Sequence, residues 1–283
     1  MRQARRLAAA PEAPWLHADV AKRMAERLSI IKLQPERWLQ WYAFLGASGA
    51  ALAEVYKGAE QTWVEPTPAL LERSRQAGKR GWLQRITGAS KINVSSPGEV
   101  VEGQAHLVWA NMGLHASVDI PATLAQWHAA LAVDGFLMFS CYGPDSFVEL
   151  RPLFARLGWG RPGPDWWDMH DLGDLLVGAG FADPVMDQER ISLTWGDAET
   201  LLKDLRALGG NVAPDRFAGL RGRAWKQSLL IALESLRGPD GRLRLSLEIV
   251  YGHAFKPVPK LRLQPETHVS LDQMRDMVRQ GRK

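Results

Sequence analysis

Hydrophobic and polar positions in the first half of the chain follow the pattern of strands that alternate with helices. Short apolar runs predict strands at residues 38–44, 61–65, 92–95, 105–111 and 136–141. The segments between them carry helical spacing or helix-start signals, which predict helices at residues 48–56, 67–76 and 121–132. This alternation is typical of a parallel sheet covered by helices, so the pattern predicts an α/β fold.

Further helices and two strands are predicted around this first half. Apolar side chains at three- and four-residue steps predict an amphipathic helix over residues 15–33. Additional helices are predicted at residues 145–157, 171–178, 198–208 and 223–236. Two strands complete the pattern, at residues 191–195 and 242–251.

These elements predict one main domain with additions at both ends. We expect a helical cap over residues 1–34 and a main domain over residues 35–257. A helical insertion is expected at about residues 197–237, because two helices separate the last two strands there. The basic, proline-containing residues 258–283 are expected to form a loose tail.

The amino-acid composition indicates a soluble globular protein and a cytoplasmic location. A hydrophobic content of 46% and a charged content of 23% are typical of a soluble globular chain. The single cysteine, Cys141, cannot form an intrachain disulfide, and no apolar run approaches the ~20 residues of a membrane span. We therefore expect a cytoplasmic protein without a membrane partner. The densest basic stretch, residues 216–226, is more typical of a solvated face than of an anion site, so no nucleic acid is expected.

Two polar residues lie where ligands gather in open α/β sheets, at the carboxyl ends of strands. Glu65 follows the second strand, and its carboxylate has the capacity to accept hydrogen bonds from both hydroxyls of a ribose. Asn111 ends the fourth strand. The alternative interpretations are a solvated loop acid for Glu65 and an ordinary turn residue for Asn111. Cys141 and the His170 region lack the spacing of metal ligands, so no metal is expected.

Four segments carry a resemblance to a known family. They are residues 139–151 (FSCYGPDSFVELR), 171–176 (DLGDLL), 201–211 (LLKDLRALGGN) and 248–252 (EIVYG). The third string is the most specific of the four. Over residues 15–257 the chain resembles the malonyl-acyl-carrier-protein O-methyltransferase family of biotin synthesis, which belongs to the class I S-adenosylmethionine-dependent methyltransferases.

The resemblance implies a fold, a reaction and a partner. The fold is Rossmann-like, with a mostly parallel seven-stranded sheet flanked by helices. The reaction is methylation of the free carboxylate of malonyl held by acyl carrier protein, with S-adenosyl-L-methionine as cofactor. The implied cofactor positions are Gln40, Tyr42, Gly46, Glu65 and Asn111.

Two further residues are substrate candidates within the resembling segments. Arg151 is positioned to pair with the malonyl carboxylate, and Tyr142 to form a pocket wall. The alternative for Arg151 is a surface pair with Glu149 or Asp145. Methyl transfer to an ionised carboxylate needs no general base, so His17 and His115 are more simply structural residues.

The first cofactor motif departs from the family pattern. Gln40 stands where the family has an acid, and Tyr42 and Phe44 stand where it has glycines. A shifted alignment makes Gly46 the first glycine and places Phe44 at the acid. Loss of a charge-assisted hydrogen bond costs about 1.5–3 kcal/mol, and overpacking adds about 1–3 kcal/mol. Together these predict cofactor affinity lower by roughly two to four orders of magnitude.

Two other functions remain open on the sequence. One is a non-catalytic family member that acts as a binding or regulatory protein, which the aromatic turn favours. The other comes from a sister group of methyltransferase-like assembly factors for respiratory complex I, which is tied to hydroxylation of a protein arginine. Two interpretations apply to Arg221, Arg223 and Lys226. They form a contact with a carrier protein, or, more simply, they lie on a solvated face.

Overall fold

The computed structural model describes residues 10, 12–80, 92–213 and 215–259. Within these residues, seven strands form one sheet in the order β3-β2-β1-β4-β5-β7-β6. The strands are β1 Arg37–Trp41, β2 Glu60–Val64, β3 Ile92–Ser95, β4 Ala105–Ala110, β5 Leu131–Tyr142, β6 Ala182–Trp195 and β7 Leu243–Phe255. This arrangement confirms the predicted α/β fold with a mostly parallel sheet.

Helices cover both faces of the sheet and fill the connections between strands. Their bounds are α1 Trp15–Glu26, α2 Ala43–Gly46, α3 Gly49–Val55, α4 Pro68–Arg80, α5 Ile120–Ala130, α6 Leu150–Arg156, α7 Met169–Gly178, α8 Ala198–Ala207 and α9 Arg223–Glu234. A 3₁₀ turn over Arg27–Ile30 follows α1, so the predicted helix over residues 15–33 ends earlier than expected. None of the described helices has the length and apolar character to cross a membrane.

The parallel half of the sheet is a buried core built around β1 and β4. β1 pairs in parallel with β2 and β4, and β4 pairs in parallel with β5. Because successive strand residues point to opposite faces, Trp38 and Trp41 enter two separate hydrophobic clusters on the two faces. Trp109 joins the first cluster and Trp127 the second, so both faces are sealed by large side chains.

The last two strands run antiparallel, and β6 is much longer than predicted. β7 pairs antiparallel with β5 on one side and with β6 on the other. The prediction placed the strand at residues 191–195, whereas β6 begins at Ala182. Charged residues and Pro184 obscured its first half. An edge strand tolerates both, because one side of it faces solvent.

The predicted helix over residues 145–157 was wrong at its start, because this segment is tethered to β7 instead. Asp145 donates its backbone N–H to the Glu248 carboxylate at 2.8 Å, and the Ser146 hydroxyl donates to the Glu248 carbonyl at 2.9 Å. The Phe147 N–H donates to the Ser246 carbonyl at 2.7 Å. These bonds replace helical ones, so α6 begins only at Leu150.

Helix α1 lies across the carboxyl ends of β1 and β4 and is held from both sides. Its buried face includes Leu16, Val20 and Met24. On the other side, Arg23 forms an ion pair with Glu189 of β6, and Arg27 forms one with Asp187 at 2.8 Å. The helix therefore connects the parallel half of the sheet to its antiparallel edge.

Replacement of Gly252 by alanine should destabilise the fold. Gly252 lies opposite Phe139 in the β5–β7 pairing, and an added Cβ would overlap the fully buried Phe139 ring. Overpacking of this kind costs about 1–3 kcal/mol of unfolding free energy. Urea denaturation of Gly252→Ala measures this loss. In the control Gly196→Ala the added Cβ meets no atom within 4 Å, and stability should change by at most about 0.5 kcal/mol. Equal stability of the two variants would contradict the packing described.

Candidate functional site

The carboxyl ends of the parallel strands bring most of the predicted site residues to one edge of the sheet. Tyr42 follows β1, Glu65 follows β2, Asn111 follows β4, and Tyr142 ends β5. Open α/β sheets bind ligands at this edge. All four side chains are buried. The predicted residues are therefore neighbours, but they face protein rather than solvent.

The turn after β1 is shorter and more helical than predicted. The strand was expected to continue to residue 44, but Tyr42 has a φ of 56° and turns the chain into α2. Ala47, which ends α2, has a φ of 50°. Neither residue is glycine, although the left-handed region costs an L-residue roughly 1–2 kcal/mol. This strained turn persists only because surrounding contacts hold it.

Polar side chains from three elements hold the carbonyl groups of α2. The Gln40 amide donates to the Ala43 carbonyl at 3.2 Å, and His17 Nδ1 lies 2.7 Å from the Leu45 carbonyl. Because a carbonyl only accepts, His17 carries its proton on Nδ1. Asn111 donates to the Gly46 carbonyl at 2.6 Å. In the described conformation, Gln40 thus serves the turn itself, and Gly46 presents a bonded carbonyl rather than an open backbone.

Asn111 is the most connected of the predicted residues. Besides the Gly46 carbonyl, its Nδ2 donates to the His17 carbonyl at 2.7 Å. Its Oδ1 accepts a hydrogen bond from the Ser140 hydroxyl at 2.7 Å. The side chain joins β4 to α1, α2 and β5, and it is completely buried. In this conformation Asn111 therefore organises the edge of the sheet through bonds within the protein.

Glu65 is a buried acid that accepts hydrogen bonds from other residues of the protein. Only 1% of the residue is exposed, so the alternative of a solvated loop acid is wrong. Its Oε1 accepts from the Phe44 N–H and the Ser74 hydroxyl, both at 2.7 Å. Its Oε2 is buried without a partner among the described residues. Burial raises the pKa of Glu65, and the bonds from Ser74 and Phe44 oppose that rise.

Aromatic side chains fill the space that glycines would leave open. The Tyr42 residue is 7% exposed, and an added Cβ at Gly113 would overlap its ring. Burial, followed by the nearby Glu65 carboxylate, raises the pKa of Tyr42 to about 12, so it stays neutral. The Phe44 ring lies 3.8 Å below the Arg73 guanidinium. In this conformation the five cofactor positions do not fit S-adenosyl-L-methionine, because the Tyr42 ring fills the space and the Gly46 carbonyl is bonded to Asn111, although Gln40 Oε1 and Glu65 Oε2 have no partner among the described residues.

An open cavity of about 280 Å³ lies beside Tyr142 and His115. Its walls are mostly apolar and come from α6, the loop over residues 157–168 and the end of α8. Its polar groups include those of Arg151, Arg161, Asp165 and Asn211, and the ring of Trp166 lies 5.5 Å from that of Tyr142. A mostly apolar cavity with a few convergent polar groups is the usual form of a small-ligand site.

Arg151 lines this cavity without an acidic partner from its own helix region. The predicted alternative was a pair with Glu149 or Asp145. Instead, Asp145 forms an ion pair with Arg190, and Glu149 accepts the Ser246 N–H at 2.9 Å. The Arg151 guanidinium donates to the Pro144 carbonyl and is otherwise exposed. The surface-pair alternative is therefore wrong, and the charge remains available to an anion.

Trp166 and Asn211 line the cavity, but the sequence reasoning assigned neither a role. A second cavity of about 590 Å³ lies on the other side of His115, Tyr142 and Trp166, which wall both cavities. Trp166 follows a loop rich in glycine and proline, and Asn211 ends the family-like string over residues 201–211. The resemblance of that string to the family could have pointed to Asn211 as a site residue. No local motif predicts that Trp166 packs against Tyr142.

The two candidate histidines are neutral structural residues. Burial, and to a smaller extent the neighbouring imidazole of His17, lowers the pKa of His115 to about 3. Burial also lowers the pKa of His17 to about 4, although its bond to Leu45 opposes this. Both imidazoles are therefore neutral near pH 7. Of the two arginines in the cavity wall, Arg161 is paired with Asp165, and Arg151 forms no ion pair within the described residues. No group of three or more metal-binding side chains occurs in the described part of the chain.

Curated relatives match most of the chain. It is 39% identical over 251 residues to a malonyl-acyl-carrier-protein O-methyltransferase of Gallionella capsiferriformans, covering 87% of this chain and 86% of the relative. It is 37% identical over 268 residues to the protein of the same name from Laribacter hongkongensis, covering 93% and 88%. No family model matches the chain.

Solved structures share the fold at low sequence identity. A putative methyltransferase from Bacillus halodurans has a TM-score of 0.56 at 14% identity, covering 84% of this chain and 99% of that chain. Phosphoethanolamine N-methyltransferase 2 of Haemonchus contortus, in complex with S-adenosyl-L-methionine, has a TM-score of 0.50 at 13% identity, covering 87% and 54%. These similarities establish the methyltransferase fold.

The buried imidazole of His17 predicts that acid destabilises this edge of the sheet. The folded chain keeps His17 neutral down to about pH 4, whereas in the unfolded chain it takes up a proton near its ordinary pKa of 6.5. Unfolding therefore binds a proton between these values, and stability falls as the pH is lowered through 6.5. Between pH 7 and pH 5 the loss from His17 should be about 2 kcal/mol.

Urea denaturation of His17→Asn tests this expectation. The asparagine amide retains a donor for the Leu45 carbonyl but does not titrate. The free energy of unfolding of the variant should fall by about 2 kcal/mol less than that of the parent protein between pH 7 and pH 5. Equal losses in the two proteins would show that His17 is protonated in the folded state or remains accessible to solvent.

Proposed function

Because this chain belongs to the malonyl-acyl-carrier-protein O-methyltransferase family, we propose that it acts on malonyl-acyl-carrier protein and methylates the free carboxylate. In the family this reaction serves biotin synthesis. The observation that carries the proposal is the cavity beside Tyr142, which joins an apolar wall to the guanidinium of Arg151, whereas Arg161 in the same wall is paired with Asp165. A malonyl thioester has the matching chemistry, an apolar arm that ends in a carboxylate.

The residues of the cavity suggest how the substrate would be held. Arg151 would pair with the malonyl carboxylate through charge-assisted hydrogen bonds. The rings of Tyr142 and Trp166 would pack against the acyl arm and exclude water. A carboxylate is ionised near pH 7, so no general base is required, and the neutral His115 in the cavity wall agrees with that requirement. The contribution of these residues is orientation of the substrate.

The closed turn at the cofactor positions supports a second candidate function. The turn over residues 42–47 must rearrange before S-adenosyl-L-methionine has room, and its carbonyl bonds to Gln40, His17 and Asn111 oppose that rearrangement. A protein that keeps this turn closed would bind malonyl-acyl-carrier protein without methylating it. The closed turn favours this binding or regulatory role. No contact described here favours the protein-arginine modification of the sister group.

Truncation of Arg151 should weaken malonyl recognition. Loss of one charge-assisted interaction is worth about 1.5–3 kcal/mol, so Arg151→Ala should weaken binding of malonyl-pantetheine about 10- to 100-fold. Calorimetric titration measures this affinity. Arg156→Ala is the matched control, since Arg156 lies in the same helix and does not line the cavity. Equal affinity in both variants would remove Arg151 from the site.

Calorimetric titration with S-adenosylhomocysteine separates the two candidate functions. Micromolar binding, followed by methylation of malonyl-acyl-carrier protein, would establish the methyltransferase. A folded protein with no binding up to millimolar ligand would establish the closed turn and the non-catalytic role.

A variant of the turn tests the physical cause of either result. Gln40→Asp, Tyr42→Gly and Phe44→Gly together restore an acid and open backbone, and should strengthen ligand binding by roughly two to four orders of magnitude. Gln40→Asp alone is the control, because the rings of Tyr42 and Phe44 still fill the space. If the triple variant folds and gains no affinity, the aromatic turn is not what limits binding.

A further inference from the structure

Two adjacent helices present a concentrated basic surface. Lys203 and Arg206 are three residues apart on α8, and Arg223 and Lys226 are three residues apart on α9, so each pair shares one helix face. All four side chains are exposed. A shallow notch of about 410 Å³ is lined by Lys203, Arg206 and Lys226 together. These four residues are called the basic face below.

Few of these charges are neutralised by the protein. Glu199 also lines the notch and lies 3.2 Å from Lys226. Asp204, the other acid near Lys203, accepts a hydrogen bond from Trp195 Nε1 at 2.8 Å and is turned away from the notch. Within the described residues, no ion pair is made by Lys203, Arg206 or Arg223. The basic face therefore keeps a local excess of positive charge that attracts an acidic surface.

The basic face adjoins the cavity through α8. Lys203 and Arg206 lie on the outer side of this helix, whereas Leu205 and Leu208 line the cavity. Gly210 and Asn211, which follow the helix, line it as well. A macromolecule bound to the outer side of α8 would thus be separated from the cavity by this one helix.

Arg221 does not belong to the basic face, although the sequence grouped it with Arg223 and Lys226. Its guanidinium lies between the rings of Phe217 and Trp225, at 4.5 and 4.4 Å from their centres. It also donates to the Trp159 carbonyl at 3.0 Å. Arg221 therefore fixes the loop before α9, and its charge is committed within the protein.

We propose that the basic face is the docking surface for an acidic carrier protein, whose acyl-bearing arm then enters the cavity beside Tyr142. This inference rests on the proposed function for the nature of the acyl group. The docking contact itself depends only on charge complementarity with the carrier. Binding should therefore extend to a carrier without any acyl group, and it should weaken as salt screens the charges.

Charge reversal of the basic face tests the proposal. Lys203→Glu, Arg206→Glu and Lys226→Glu together should weaken binding of both malonyl-carrier and unacylated carrier at least tenfold, measured by fluorescence anisotropy at 50 mM salt. For the parent protein, affinity should fall between 50 and 200 mM salt, and the variant should show a smaller fall. Affinity for malonyl-pantetheine, which lacks the protein part, should stay within about twofold.

A second triple variant controls for the overall charge. Lys22→Glu, Lys32→Glu and Lys57→Glu change three exposed lysines away from the notch and alter the net charge by the same amount. Carrier affinity that falls equally in the two triple variants would overturn the proposal, because the effect would be one of net charge. Unchanged affinity in the basic-face variant would overturn it as well.

The outcomes separate the docking surface from the proposed function. If the parent protein binds the unacylated carrier through the basic face but does not bind malonyl-pantetheine, the docking surface stands and the malonyl assignment fails. The opposite outcome is that malonyl-pantetheine binds, Arg151→Ala weakens this binding, and the basic-face variant binds the carrier as tightly as the parent protein. The malonyl assignment then stands and the docking surface fails. A parent protein that binds no carrier at all overturns the docking surface.

Discussion

The hydrogen bonds of Asn111 hold together the edge of the sheet where the site lies. One buried amide donates to α1 and to the turn after β1, and it accepts from Ser140 on β5. A buried polar group that loses such partners costs about 1–3 kcal/mol for each group left unpaired. The amide therefore sets the position of three elements at once. The closed form of the turn and the placement of α1 both depend on it.

The fold could be predicted from periodicity because its core strands are buried on both faces. The strands at residues 105–111 and 136–141 read as apolar runs, and the structure contains both. The first half of β6 could not be predicted, since an edge strand need not be apolar. The start of α6 was also missed, because the bonds from residues 145–147 go to β7, about one hundred residues later in the chain.

The places of the candidate residues at the strand ends were predictable from the sequence, whereas their hydrogen-bond partners were not. The resemblance identified Arg151 and Tyr142, which line the cavity. Strand ends identified Glu65 and Asn111, which bond to the turn after β1. Their partners lie far away in sequence, so no local pattern revealed that Glu65 and Asn111 bond to their own chain. The role of His17 in holding the turn escaped for the same reason, because it becomes visible only when α1 is laid across β1.

The way the turn is held makes each single substitution toward an open backbone costly. Glycine at position 42 alone would leave a void beside Gly113, while the carbonyls of Ala43, Leu45 and Gly46 would remain bonded to three separate elements. Each single step toward an open turn therefore loses packing or hydrogen bonds before any ligand contact compensates for it. Conversion of this turn into an open one therefore requires several substitutions made together.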